Sequence, residues 1–500
     1  MKKTSIFLAF ATLLVSCGKS IPTDFSTSGS AVEIFPDYTG VTVPANIAPT
    51  NFSIEKESQA YVTVLSSGNE KAVISGQKVK IPRRKWEKLT QSDRIDVTIY
   101  TKDNGKWTAF APFQIKVSHD LIDQFISYRA LPSASVESYE KLALYQRDLT
   151  SYREKVIYSN QMIQTESSGQ CVNCHSYKNY RTDNMQFHVR HYLGATVLVD
   201  GGKLRKLSTK TDSTITAAFY PCWHPTHDFI AYSNDKVHQS LHTLHHNRIE
   251  VLDEESDIIL YNLRTNKISV IENDSDYLET YPAWSPDGKT LYYSSARYIA
   301  PYDRSRRDRI FLDKDSIQYN LLRKSFNPDT EEWGESEMVY NAVSHNKSVT
   351  WPRVSPDGRW LLANISQHSV FPINQSDADL CLIDLTNDSL RVLRDVSSTE
   401  SESYHEWSST GKWILFSTRR EDGSRTRLYI AHFNGDGTFD KPFALPQRNP
   451  DFNREFLLAF NIGVFMIEPV SISPRQFARF IKNGPVEQVG YTSKKSLSAK

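Results

Sequence analysis

A motif that recurs four times in the second half of the chain constrains the fold more than any other feature. Each copy begins with an aromatic residue, usually followed by proline, and leads through a turn into an apolar run. The turn is Ser-Pro-Asp-Gly in the second and third copies, His-Pro-Thr-His-Asp in the first, and Ser-Ser-Thr-Gly in the fourth. A strand, a tight turn and an antiparallel return strand form part of a blade, which must stack on neighbours to bury its faces. The repeat therefore predicts a β-propeller. The copies begin at Tyr220, Tyr281, Trp351 and Tyr404 and run to Pro225, Gly288, Gly358 and Gly411.

The two clearest copies, Trp284-Ser285-Pro286-Asp287-Gly288 and Val354-Ser355-Pro356-Asp357-Gly358, resemble the PD40 (WD40-like) repeat of TolB-type β-propellers. With the strand-like runs 195–199 and 204–207, the copies predict about five blades, and possibly six, over residues 194–450. The tight turns at Asp287-Gly288 and Asp357-Gly358 should lie at equivalent places in successive blades. Residues 451–500 are expected to close the propeller or to pack against it, with a helix-like stretch from Gln476 to Lys482.

The first residues have the features of a targeting signal. Lys2 and Lys3 precede an apolar run, 6–15, that is too short to span a bilayer. The next four residues, Leu14-Val15-Ser16-Cys17, resemble the lipobox of bacterial lipoproteins, which implies that residues 1–17 hold the signal peptide and that Cys17 is diacylated. The alternative is an ordinary cleavage site beside an unmodified Cys17. We expect a lipid-anchored protein of the cell envelope, at the outer membrane and facing the periplasm.

The remaining N-terminal half divides into three parts. Residues 18–30 are small and polar and form a tether. Short alternating runs between 31 and 118, separated by Gly, Asn and Asp, are typical of a small immunoglobulin-like β-sandwich. Between 119 and 193 the period changes, which predicts a helical segment. The apolar residues that recur there at three- and four-residue steps are Leu142, Tyr145, Leu149, Tyr152 and Val156.

Cys171-Val172-Asn173-Cys174-His175 has the pattern of a haem c attachment site, in which two thiolates bind the haem vinyl groups and the imidazole binds the iron. With 5 Cys and 14 His in 500 residues, chance gives ~0.0014 copies of this pattern, so the match is specific. The alternatives are a local disulfide, a redox dithiol, and half of a zinc site or inert thiols. Zinc is disfavoured because no second C-x-x-C follows.

A six-coordinate haem needs a second axial ligand, for which Met185 and His188 are the nearby candidates, with Met185 slightly favoured. Three basic residues, Lys178, Arg181 and Arg190, could pair with the haem propionates. A second metal site is conceivable in the histidine-rich loop further along the chain, although a solvated polar loop is its simpler interpretation. That loop contains His238, His242, His245 and His246.

The whole arrangement resembles a group of bacterial TolB-like lipoproteins with a cytochrome c-type C-x-x-C-H motif, and the resemblance implies an architecture without an activity. The 59 basic and 58 acidic residues give a net charge of +1, which gives no indication of nucleic acid binding. The chain has none of the G-x-S-x-G, H-E-x-x-H, Walker or Rossmann patterns. Two hypotheses follow. One is a monohaem protein that transfers electrons or senses redox state by docking partners on its propeller. The other is a non-haem envelope scaffold that binds partner proteins and has a Cys171–Cys174 disulfide.

Overall fold

The computed structural model describes residues 20–132, 141–163, 169–241, 249–368 and 370–492, and over these residues it forms a small β domain followed by a propeller of six blades. The prediction of a mainly β protein with a sandwich and a propeller is confirmed. The lipobox and Cys17 lie outside the described residues, as do His242, His245 and His246.

The N-terminal domain consists of two sheets and one helix. One sheet has seven strands, in which β8 pairs with β5, β9 and β10, and the other has three. The elements are β1 (Phe25–Thr27), β2 (Ile34–Phe35), β3 (Thr42–Pro44), β4 (Phe52–Ile54), β5 (Ala60–Ser67), β6 (Glu70–Ser75), β7 (Lys78–Val79), α1 (Arg83–Leu89), β8 (Arg94–Asp103), β9 (Lys106–Ala109) and β10 (Phe113–Ser118).

Five of the blades follow one another along the chain, each with four antiparallel strands from the channel outward. The first contains β14 (Gln170–Lys178), β15 (Arg181–His191), β16 (Ala195–Asp200) and β17 (Lys203–Ser208), and the second contains β18 (Phe219–Trp223), β19 (Phe229–Leu241), β20 (Ile249–Asn262) and β21 (Lys267–Glu272). The third contains β22 (Tyr277–Trp284), β23 (Thr290–Arg297), β24 (Asn320–Asn327) and β25 (Glu332–Tyr340). The fourth contains β26 (Ser348–Val354), β27 (Trp360–Ser366), β28 (Asp379–Asp384) and β29 (Ser389–Val392), and the fifth contains β30 (Glu402–Trp407), β31 (Trp413–Thr418), β32 (Arg427–His432) and β33 (Phe443–Ala444).

The sixth blade combines strands from both sides of the other five and closes the ring. Its outer strands are β11 (Phe125–Pro132), β12 (Ala143–Asp148) and β13 (Glu154–Ser159), and its inner strand is β34 (Leu458–Met466), which pairs with β11. The expected closing role of the C-terminal segment is thus confirmed. The helices and edge strands that remain are α2 (Arg306–Asp313), α3 (Phe452–Glu455), α4 (Pro474–Asn483), β35 (Glu487–Gln488), β36 (Gly490–Tyr491) and short 3-10 helices at Asn160–Met162, Lys314–Ser316, Val343–His345 and Pro372–Asn374.

The helical segment predicted for 119–193 is wrong, since the described residues of this range form β11 to β15 with one short 3-10 helix at Asn160–Met162. Strand β12 is buried on both faces, so its apolar residues do not alternate, and together with the turn after it they mimic a helical period. The propeller therefore begins near residue 125 instead of 194 and extends to 466. The helix predicted from Gln476 to Lys482 is confirmed within α4.

The turns between the two inner strands of the blades have the predicted form. Gly288 and Gly358 have φ values of +71° and +75°, and the amide of each donates a hydrogen bond of 2.9 Å to the carbonyl of Ser285 or Ser355. Glycine adopts these left-handed conformations without the steric cost of a side chain. The Pro-Asp-Gly signature therefore marks equivalent corners of the third and fourth blades.

Candidate ligand-binding channel

A bulge at the same position in all six inner strands lines the propeller channel. The residue at each bulge has a left-handed backbone, with φ between +44° and +57°, in a region that non-glycine residues seldom occupy. The pairing register shifts at the bulge in each blade. We call these residues the channel ring: Cys174, Tyr220, Tyr281, Trp351, Tyr404 and Ile462.

The aromatic members of the channel ring stack edge to face across the channel. The ring centroids of Tyr220 and Tyr281 are 4.7 Å apart, and Trp351 lies 4.8 Å from both Tyr281 and Tyr404. These contacts are favourable beyond the area they bury. The two smaller members, Cys174 and Ile462, leave the ring incomplete on the side of the first and sixth blades.

The C-x-x-C-H motif therefore lies in the inner strand of the first blade, and Cys174 takes the place that an aromatic residue has in the next four blades. The sequence contains a signal for this equivalence. An aromatic residue follows the channel-ring position after three residues in Cys174-x-x-Tyr177, Tyr220-x-x-Trp223 and Tyr281-x-x-Trp284 alike. The motif is thus one more copy of the repeat, in which cysteine replaces the first aromatic residue.

The two motif cysteines face different surroundings. Cys171 packs against Leu142 and Leu144 of the sixth blade, whereas Cys174 lies in the channel ring. Cys171 pairs with Arg190 in the regular part of β14, whereas Cys174 lies at the bulge, so the two side chains line different cavities. Both are free thiols here, so the disulfide alternative is not formed. Among the described residues no group of three or more His, Cys, Asp or Glu side chains could hold a metal ion, so zinc gains no support.

His175 is buried between the first and sixth blades, with 3% of its surface exposed. Burial, and secondarily the positive charge of Arg129, lowers its pKa to about 3, so the ring is neutral at neutral pH. Weak hydrogen bonds between the ring and the backbone of Ser127 and Ile462 oppose this shift. Neither ring nitrogen makes a hydrogen bond of normal geometry within the described residues. Buried polar atoms without partners are uncommon and indicate either an unfilled site or a functional one.

The predicted distal ligands are both engaged elsewhere. Met185 is fully buried in the apolar core between the first and sixth blades, opposite Tyr177 on the neighbouring strand. His188 donates from Nε2 to the Ala218 carbonyl, and its Nδ1 accepts a 2.8 Å hydrogen bond from Thr196. Both nitrogens of His188 are therefore occupied, and neither candidate faces His175 across an open space.

Of the three predicted propionate partners, two are committed to other contacts. Lys178 donates to the His227 carbonyl at 2.8 Å, and Arg181 pairs with Asp183 at 3.0 Å on the surface. Only Arg190 lines a cavity. Because Cys171 and Cys174 diverge and the axial candidates are engaged, these residues do not fit a covalently attached haem while β14 is paired in its blade.

Two cavities lie on either side of the channel ring. The first, which we call the histidine cavity, has a volume of about 420 Å³ and is lined by Cys174, His175, Cys222, Arg353, His405 and Glu406 together with aromatic residues. Arg353 pairs with Glu406 at 3.3 Å, and His405 Nε2 donates to the Leu362 carbonyl at 3.0 Å. Burial raises the pKa of the Cys222 thiol and lowers that of His405 to about 3. Neither group is charged at neutral pH, which suits binding better than proton transfer.

The second cavity, the arginine cavity, has a volume of about 570 Å³. Its charged walls come from Arg129, Arg190, Arg307 and Arg419, and its apolar floor includes Phe219, Tyr220, Phe371 and Tyr404. His238, from the predicted histidine-rich loop, also lines it, but the other three histidines of that loop lie outside the described residues. The sequence does not reveal this cavity, because its arginines come from three blades and from α2.

No protein-family model and no curated protein matches the chain. Distant likenesses exist among solved structures. A prolyl endopeptidase is 12% identical, with a TM-score of 0.36 over 64% of this chain and 42% of its own, so this chain spans less than half of that protein. An oligogalacturonate lyase in complex with manganese is 14% identical, with a TM-score of 0.31 over 69% and 87%. An ACO/RPE65 chimera is 12% identical, with a TM-score of 0.37 over 84% and 95%.

Proposed function

We propose that this protein is a non-haem, TolB-like binding protein of the bacterial cell envelope and that its ligand is a small molecule held in the propeller channel. The observation that carries the proposal is the pair of cavities at the channel ring, each lined by buried polar groups. His175 lies in one cavity, where its ring has only the backbone of Ser127 and Ile462 as polar neighbours, and Arg190 lies in the other, where its buried Nε has no partner among the described residues. Since burial without hydrogen bonds is costly, a bound ligand is the natural complement.

The envelope location is part of the proposal and is supported by the lipobox-like Leu14-Val15-Ser16-Cys17. Acyl chains on Cys17 would hold the protein at a membrane without a spanning helix. Among the described residues, no helix is both long and apolar enough to cross a bilayer. The outer membrane, facing the periplasm, remains our proposed site, with partner proteins docking on the exposed faces of the blades.

Closing the gap in the channel ring should block the ligand site. In Cys174→Tyr, the new phenol would take the place that Tyr220 and Tyr281 have in their blades, at the same left-handed backbone conformation. We expect the variant to fold and to lose binding. In a thermal-shift screen of envelope small molecules, a compound at about 100 times its Kd contributes ~2.7 kcal/mol to wild-type stability. The same compound should not change the melting temperature of Cys174→Tyr.

The matched control is Lys203→Tyr, which adds the same side chain at an exposed position of β17 and should respond like the wild type. If no compound gives a shift that depends on residue 174, or if Cys174→Tyr responds as fully as the wild type, the channel is not the ligand site.

Covalent haem c attachment, with electron transfer or redox sensing through a docked partner, is the second candidate. The C-x-x-C-H pattern in an exported chain and the weakly bonded nitrogens of His175 favour it. It requires β14 to leave its blade, because only then could Cys171 and Cys174 face the same macrocycle. The covalent state of these two cysteines separates the two candidates.

A further inference from the structure

We propose that the arginine cavity binds an anionic small molecule with a flat apolar body. This inference deepens the proposed function, on which it rests, by naming the chemical class of the ligand. The cavity residues from the described part of the chain include four arginines and no aspartate or glutamate. A wall of one charge sign in a partly enclosed space favours a ligand of the opposite sign.

Arg129 carries the strongest part of the argument. Its side chain projects from β11, and the residue is only 9% exposed. Its Nε donates to the Asn461 amide oxygen at 3.2 Å, and its guanidinium forms no ion pair with a carboxylate of the described residues. A buried charge without a counter-charge is costly, and proteins ordinarily pair it. An anionic ligand would supply the missing charge.

Arg190 is held in a position to receive the same group. Its guanidinium lies 4.2 Å above the centre of the Phe219 ring, which fixes the plane of the donors. Its Nε is buried without a hydrogen-bond partner among the described residues. Planar guanidinium groups bind carboxylates, phosphates and sulfonates through paired hydrogen bonds.

In the histidine cavity, by contrast, the arginine has a structural role and is paired with a carboxylate. There, Arg353 pairs with Glu406 at 3.3 Å and lies 4.6 Å from the Trp351 ring centre. The two cavities share the aromatic members Tyr220 and Tyr404 of the channel ring, yet in the arginine cavity neither Arg129 nor Arg190 forms an ion pair with a carboxylate of the described residues. That difference assigns the anion to the arginine cavity.

The apolar side of the arginine cavity indicates the chemical nature of the uncharged part of the ligand. Phe219, Tyr220, Phe371 and Tyr404 provide flat aromatic surfaces, and Leu131 and Ile373 extend them. Such surfaces suit a ring system stacked below the anionic group. The exposed Arg307, on α2, stands at the rim, where it would attract an anion from solution.

The test compares two fluorescent probes that have the same aromatic ring system and differ in charge. Both 1-anilinonaphthalene-8-sulfonate and its uncharged counterpart N-phenyl-1-naphthylamine are fluorescent on binding, and only the first carries an anionic group. The mature chain is used with Cys17→Ser, so that no acyl chain binds either probe. We expect saturable binding of the sulfonate at one site, at least about tenfold tighter than that of the neutral probe, as for a charge-assisted hydrogen bond.

Removing the positive charge of Arg129 or Arg190 should remove the preference for the sulfonate over the neutral probe. We expect Arg129→Gln and Arg190→Gln each to weaken sulfonate binding about tenfold and to leave the neutral probe within about twofold. Arg129→Lys keeps the positive charge and should therefore lose less sulfonate affinity than Arg129→Gln. If Arg129→Gln does not fold, the lysine variant still tests the role of Arg129. Arg391→Gln, at an exposed position of β29, is the matched control and should bind the sulfonate like the wild type.

Equal affinity for both probes, or a preference that survives both glutamine substitutions, would overturn the inference. So would weak sulfonate binding that becomes tight in Glu137→Gln/Glu140→Gln, since the arginines would then pair with the chain's own carboxylates. If Cys174→Tyr blocks the neutral probe while charge has no effect, the channel still binds ligands and only the anionic class is wrong. If neither probe binds saturably, both the anionic ligand class and the proposed ligand site in the channel are wrong.

Discussion

A chain that ends at Leu457 should not fold. It lacks β34, which is the inner strand of the sixth blade and pairs with β11 over seven residue pairs. Phe465 and Met466 on this strand are fully buried, and α4, β35 and β36 are lost with it. Burial of each large apolar side chain contributes about 1.5–3 kcal/mol, and an open ring exposes the faces of two blades. The total loss exceeds the ~5–15 kcal/mol by which domains are usually stable.

The truncated protein should show no cooperative unfolding transition in urea and no near-ultraviolet circular dichroism. A chain that ends at Thr492, which removes only residues outside the described part, is the matched control and should unfold like the full-length protein. A cooperative transition in the shorter chain at wild-type denaturant concentration would mean that the sixth blade does not need β34.

Trp413→Ala should cost about 3–5 kcal/mol of unfolding free energy. Trp413 is fully buried in an apolar core that the N-terminal domain shares with the fifth and sixth blades. Its indole Nε1 donates a 2.9 Å hydrogen bond to the carbonyl of Asp120, in the connection between the two domains. The substitution therefore leaves a cavity at the domain junction and one unpaired carbonyl.

Urea unfolding followed by tryptophan fluorescence and circular dichroism measures this effect. Because the core is shared, the wild type should unfold in one transition, and Trp413→Ala should move that single transition to a lower urea concentration. Trp107→Ala, in the partly exposed strand β9, is the control and should cost about 1 kcal/mol or less. A loss below about 1 kcal/mol at Trp413 would show that the two domains are joined only by the chain.

The repeated turns predicted the propeller because each one reports on local geometry. Asp287-Gly288 and Asp357-Gly358 each place a left-handed glycine between two strands, so these two copies, with two degenerate ones, sufficed to indicate stacked blades. The sixth blade depends on pairing between β11 and β34, which are more than 300 residues apart, and no local pattern encodes that contact. The helix predicted around Leu142 failed for a related reason. Burial of both faces of a strand is decided by the neighbouring blades.

The candidate site was predicted only in part. The unusual residues were located correctly, since Cys174 and His175 do line the channel. Their role was read from the C-x-x-C-H spacing, which assumes that the chain turns so that both thiols face one side. In β14 the same spacing places Cys171 among apolar side chains of the sixth blade. The arginine cavity could not be predicted, because Arg129, Arg190 and Arg419 are brought together only by closure of the ring.

The covalent state of Cys171 and Cys174 tests most directly whether the motif is a channel wall or a haem attachment site. The protein would be expressed together with haem c maturation machinery, denatured, alkylated without reduction and digested with trypsin. Mass spectrometry of peptide 156–178, which contains both cysteines, then gives the answer. We predict two alkylated thiols and no added haem. A peptide that carries one haem through two thioethers, with a Soret band that survives denaturation, would contradict the account and establish the second candidate.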